Sequence, residues 1–223
     1  MMDLAFWTPR PRPRREPMQG RYARLEPLDP ARHGDQLFEA SNNSEAERLW
    51  RYSTDGPYPT RESFEPWLRK MAASDDPLMF AVIDRRSGRV EGRQSYLRIA
   101  PEHGVMEIGH ILWGPAIGRT RVASEAFYLF AEHAFERLGY RRFEWKCDDA
   151  NVPSKQAAIR FGFTFEGIFR QHMVYKGRNR DTAWYSILDR EWPRIRRAFQ
   201  DWLAPENFDS EGRQKTRLAA RQI

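Results

Sequence analysis

One cysteine, Cys147, is all that 223 residues contain, so no internal disulfide framework exists and a reducing compartment, by default the cytoplasm, is expected. No apolar run approaches the roughly 18 residues that a membrane helix needs. The opening Met1-Met2-Asp3-Leu4-Ala5-Phe6-Trp7 lacks the basic region and apolar stretch of a secretory signal. No His, Cys or carboxylate cluster has metal-ligand spacing, so no metal is expected, and no GxSxG elbow points to a serine hydrolase.

What the chain has is charge. Lys and Arg number 37 against 31 Asp and Glu, a net +6, which suits a polyanionic ligand as well as nucleic acid. The arginines are scattered rather than gathered, and no zinc spacing, helix-turn-helix or aromatic RNA-binding signature accompanies them. Nucleic acid is therefore not taken as the primary partner. A nucleic-acid module using the basic arm at 9–15 stays a rival, with steep salt dependence as its mark. Hydrophobic residues at 40% and charged residues at 30% fit one soluble domain. The expected division is a basic Pro/Arg-rich arm over 1–18, a folded domain over 19–203, and a polar tail over 204–223.

In the arm, proline alternates with arginine from Pro9 to Arg15, which forbids a helix. Along the domain, strands are expected at 22–25, 78–83, 90–99, 105–113, 143–147, 164–176 and 182–188. Helices are expected from Pro30 to about Ala40, through Trp50, from Thr60, from Val122 to a C-cap at Gly139, over a short stretch ending near 161–163, and at 191–202. Helices flanking a mixed, mostly antiparallel central sheet make one α+β domain.

The stretch 105–167 says most about function. The strand Val105 to Trp113 leads through Gly114-Pro115-Ala116-Ile117-Gly118-Arg119-Thr120-Arg121 into a helix beginning at Val122. A helix start with free amides and two arginines suits a pyrophosphate. A second strand then runs into Asn151-Val152-Pro153-Ser154 and ends at Phe161-Gly162-Phe163.

In this order and spacing the chain resembles the GNAT superfamily of acyl-CoA-dependent N-acetyltransferases, nearest the branch that includes ribosomal-protein N-terminal acetyltransferases. Three features carry the resemblance: Glu107-Ile108-Gly109 with Trp113-Gly114-Pro115, Thr120 to Ala126, and Asn151 and Ser154 with Phe161-Gly162-Phe163. It spans about residues 21–192. It implies acetyl-CoA as co-substrate, with Arg119, Thr120, Arg121, Val122, Ala123, Asn151 and Ser154 as contacts. It also implies that the pantetheine arm pairs with a strand edge at Ile111, Leu112 and Trp113. The acceptor would be a primary amine, on a protein N-terminus or a small molecule, and family habit implies a homodimer. Two departures stand out. Arg119 and Arg121 occupy places where the family usually has glycine, and Ala158 sits where many members have a proton-donating tyrosine.

Glu107 and His110 are the titratable side chains on the central strand and the candidates for general base. Strict alternation would put Glu107 on one face with Ile111 and Trp113, and His110 on the other with Leu112. Ser154 is the hydroxyl nearest to the lost tyrosine. Trp50, Tyr52 and Trp67 could line an acceptor pocket, or be core. Cys147 reads as packing. The alternative function is an acyl-CoA-binding or regulatory protein that kept the fold without the chemistry.

Overall fold

The computed structural model describes residues 4–220. Eight strands and six α-helices build it: β1 (Met18–Gln19), β2 (Ala23–Pro27), α1 (Pro30–Ser41), α2 (Ala46–Trp50), α3 (Arg61–Ala73), β3 (Leu78–Asp84), β4 (Val90–Ala100), β5 (Val105–Trp113), α4 (Arg121–Glu132), β6 (Arg142–Asp148), α5 (Val152–Arg160), β7 (Thr164–Tyr175), β8 (Arg178–Leu188) and α6 (Trp192–Leu203). They form one sheet in the order β1-β2-β3-β4-β5-β6-β8-β7. Every neighbouring pair is antiparallel except β5 and β6. The expected α+β class with a mixed, mostly antiparallel sheet is what the chain adopts.

Two cores explain the layering. On β3, Leu78, Phe80 and Val82 point into one core, while Met79, Ala81 and Ile83 point into the other, so the strand is apolar throughout. The first core takes α4, α5 and α6, and the second takes α1, α2 and α3. Helix α4 lies at the centre of its layer, with residues 122–131 all buried. Helix α6 buries Trp192, Ile195, Phe199 and Trp202, spaced as one helical face.

Local chemistry sets the boundaries. Asp29 caps α1 by accepting from the amides of Ala31 and Arg32, and Thr60 and Ser63 form a reciprocal capping box on α3. Gly139, at φ +70°, turns the chain after α4 and a wider turn at 133–137. Strand β8 begins at Arg178, earlier than expected, because the β7–β8 ladder pairs up to Tyr175–Arg178.

Both ends of the described chain pack on the body. The arm runs extended, with Trp7 Nε1 donating to the Glu102 carbonyl, Arg12 to that of Ile99, and Arg15 to those of Ala72 and Ser74. The tail returns across α6 and buries Phe208, Leu218 and Ala220. Residues 1–3 of the expected arm and 221–223 of the expected tail lie outside the described residues. No helix among the described residues is long and apolar enough to cross a membrane.

Candidate functional site

The β5–β6 ladder holds only from the Val105–Arg142 pair to the Ile108–Trp145 pair. Beyond it, β5 continues to Trp113 paired with β4 alone, and β6 to Asp148 paired with β8 alone. Two strand edges therefore face a common notch with unspent backbone groups. The local cause is a bulge in β5. Arg93 pairs with Leu112 and Ser95 with Gly109, so both His110 and Ile111 stand opposite the single residue Gln94. His110 sits at φ +48°, an uncommon conformation outside glycine. An extra residue of this kind bends its strand and raises the local twist.

The bulge also overturns the expected alternation. Ile111 and Trp113 pack against the α4–α6 core, while Leu112 belongs to the α1–α3 core. His110 hydrogen-bonds through Nδ1 to Ser95 Oγ, 3.0 Å away, and Ser95 is paired with Gly109 on the Glu107 side of the sheet. Glu107 and His110 thus share a face instead of opposing one another. Buried Gln94 holds the arrangement. Its Nε2 donates to the Ala126 carbonyl of α4, and its Oε1 accepts from Trp113 Nε1.

The two titratable groups differ in surroundings. Glu107 is 3% exposed and one carboxylate oxygen, Oε2, accepts from Arg98 at 2.7 Å and Lys146 at 3.0 Å. Burial raises its pKa, while Lys146 and Arg98 pull the other way. Burial, aided by the Arg93 charge, lowers the His110 imidazole to about 4, so the ring is neutral at pH 7. Ser95 Oγ also lies within 3.1 Å of the Gly109 carbonyl. A hydroxyl donates one proton; given to that carbonyl, it leaves Nδ1–H as the donor to Oγ and Nε2 as a free acceptor.

At the start of α4, Thr120 is the N-cap and its hydroxyl accepts from the Val122 amide. Among the described residues, the amides of Arg119, Arg121 and Ala123 have no intramolecular acceptor. Arg119 is exposed and sits at φ +64°, where glycine would be unstrained. Arg121 does not aim its side chain at the turn. The guanidinium lies over Tyr22 at 4.4 Å and Phe208 at 5.0 Å, beneath the returning tail. A further arginine, Arg160 of α5, reaches this end of α4 and donates to Ser124 Oγ.

At α5, Asn151 is the N-cap and accepts from the Ser154 amide, leaving its own amide group to donate elsewhere. Ser154 Oγ accepts from Trp145 Nε1 at 2.9 Å. Ala158 is fully buried, so no side-chain hydroxyl stands where the family tyrosine would be. Cys147 is 6% exposed and burial raises its thiol pKa, which fits the packing role expected for it. Tyr52 reaches this end of the notch by donating to the Ala150 carbonyl.

Trp50 and Trp67, considered as pocket walls, are 0% and 7% exposed and lie in the α1–α3 core. Both rings lie near the Arg93 guanidinium, and Tyr58 packs edge-on to Trp50. Sequence reasoning missed Gln94, Arg93, Lys146 and Arg160. An arginine and a glutamine side by side in the middle of an expected strand were the available signal for the first two. Nothing in local spacing marks Lys146, which is buried between Glu107 and Glu144 and covered by the Trp184 ring at 3.8 Å.

Residues 23–164 match the family model described as an acetyltransferase (GNAT) domain. A solved GCN5-related N-acetyltransferase from Brucella melitensis is 59% identical, with a TM-score of 0.94 over 95% of this chain and 96% of that one. The uncharacterized N-acetyltransferase p20 of Bacillus licheniformis is 32% identical over 117 residues, 51% of this chain. The match spans 63% of that relative's length. A Salmonella typhimurium acetyl transferase, described as modifying the N-terminal serine of 50S ribosomal subunit protein L7/L12, shares the fold at 19% identity. Its TM-score is 0.68 over 78% of this chain and 99% of that one.

Proposed function

Because the chain belongs to the GNAT family of acetyltransferases, we propose that it moves an acetyl group from acetyl-CoA directly to a primary amine. The β5–β6 notch carries this reading, since its unspent strand edge lies beside a helix start whose amides also lack acceptors. The residues present fit the co-substrate. Backbone groups of Ile111, Leu112 and Trp113 would hold its amide-bearing arm, and the amides at Arg119, Arg121 and Ala123 its phosphates, within the turn formed by residues 119–123. Arg119 would add charge from its side chain, and Arg121 only its backbone. Asn151 would donate to the arm from the opposite wall. Bound there, acetyl-CoA supplies an activated acyl group on a thiol that leaves as thiolate.

The chain's own part is positioning and proton handling. A base at about 4 is too weak to strip an alkylammonium alone, so His110 Nε2 would accept from an amine already neutralised through water. Glu107, raised by burial, would receive that proton through the same water. Ser154, whose oxygen already accepts from Trp145, would donate a hydrogen bond to the leaving thiolate, which takes its proton from water. A protein N-terminus as acceptor draws support only from fold likeness to the ribosomal-protein enzyme.

The test is kinetic. Arg119→Glu should raise the KM for acetyl-CoA about tenfold, the scale of one charge-assisted hydrogen bond replaced by repulsion. An unchanged KM would remove this side chain from the site. A second reading, acyl-CoA binding without transfer, is favoured by Ala158; thiol release with any amine excludes it.

A further inference from the structure

Arg93 is the unusual charge of this molecule. It is 2% exposed, yet among the described residues no carboxylate pairs with it. The indole rings of Trp67 and Trp50 lie 4.4 Å and 5.2 Å from its guanidinium carbon. Nη1 donates to the His110 carbonyl at 3.0 Å. Nε is buried without a partner, and Nη2 donates to no acceptor among the described residues. Asp55 favours the charge from a distance without forming an ion pair.

A buried, unpaired guanidinium is costly to keep, so its retention calls for an occupant. The donors that lack acceptors say which. With Nη1 engaged on the His110 carbonyl, the Nε–Nη2 edge is the one left without an acceptor. Those two donors point in parallel, in the plane of the group, and match the two oxygens of a carboxylate.

Its location ties this edge to the chemistry. Nη1 is anchored on His110, the bulge residue at which β5 bends away from β6. A carboxylate held at the Nε–Nη2 edge would therefore be bound by the same guanidinium that holds the backbone of His110, the candidate base. The covering segment at 50–58 contributes Tyr58 and Asp55, and Lys176 of the β7–β8 turn fastens it by donating to the carbonyls of Trp50 and Asp55.

We propose that Arg93 is the carboxylate-recognition residue of the acceptor site, and that the acceptor is a small amino acid carrying its amine close to its carboxylate. This rests on the acetyltransferase reading above and narrows its substrate class. A polypeptide N-terminus, whose first carbonyl is a neutral amide, would leave the Arg93 charge unanswered.

The experiment is thiol release from acetyl-CoA by the full chain, across the common L-amino acids, their amides and the corresponding decarboxylated amines. At least one amino acid should exceed its amide and its amine in kcat/KM by about thirtyfold or more, since a buried charged donor left unpaired penalises the neutral analogue. Arg93→Met should collapse that ratio toward one through KM, and Arg93→Lys should restore it in part. Acetyl-CoA titration calorimetry serves as the control for folding and for the coenzyme site. Equal turnover of acids and amides by the unaltered chain would overturn the proposal whether or not the variants fold, as would an acid preference that survives Arg93→Met. Acetyl-CoA binding with no amino acid turned over would remove the carboxylate site alone. No acetyl-CoA binding would remove the transferase reading beneath it.

Discussion

Glu125 illustrates how much one buried side chain can organise. From the first turns of α4 its carboxylate accepts from the amides of Arg21, Tyr22 and Ala23, fastening the β1–β2 turn to that helix. Hydrogen bonds to a charged group contribute about 1.5–3 kcal/mol each where buried, though not additively. Glu125→Gln keeps the shape but removes the charge and turns one acceptor into a donor facing those amides. We expect a loss of about 3 kcal/mol in urea unfolding at pH 7. A change under about 0.5 kcal/mol would mean the turn is held by other contacts. Sequence alone placed Glu125 in a helix but not among those amides, because its partners lie about a hundred residues away.

The decisive element is β5, and here the sequence was legible only in part. Hydrophobic pattern located the strand to the residue, Val105–Trp113, and the glycine and proline after it located the exit. Gly114 is required there, since a Cβ would come within 2.8 Å of the Glu91 carbonyl and 2.9 Å of that of Ala40. The bulge was not legible. A period-two pattern assumes one residue per partner residue, and nothing local in Gly109-His110-Ile111 announces that two residues share Gln94. The face assignment of His110 failed for that reason. Deleting His110 should restore simple alternation, with Leu112 still on the Glu107 side and Ile111 and Trp113 still on the α4 side. Such a variant should keep a native-like circular dichroism spectrum and lose measurable acetyl-CoA binding by calorimetry. Retained binding would separate the notch from the bulge.

At the scale of the whole molecule, two cores on opposite faces of one sheet enclose three imidazoles whose pKa values burial lowers: His33, His110 and His133. In the unfolded chain each titrates near 6.5. The native state resists their protons, so stability is whole above pH 6.5 and falls as pH drops, while the unfolded state binds protons the native state refuses. For His110 the window runs from 6.5 down to about 4, a loss of about 3 kcal/mol by its lower end. His110→Gln should flatten that part of the decline in urea midpoints measured from pH 7 to 4. An unchanged slope would assign the acid sensitivity to other groups. The fold class was readable at this scale because apolar periodicity and turn residues agree along most of the chain. The packing of both chain ends on the body was less so, since Arg-Pro alternation and a polar tail carry no periodic signal for where they dock.

The notch between β5 and β6 is made of main-chain groups, and mutation reads main-chain groups poorly. Replacing any side chain from Ile111 to Trp113 leaves its N–H and C=O in place, and only proline deletes a donor. In a saturation scan scored by coenzyme affinity, this stretch would look permissive to most exchanges that spare the packing and intolerant of one residue type, a signature by which backbone recognition can be told from side-chain recognition without any bound ligand.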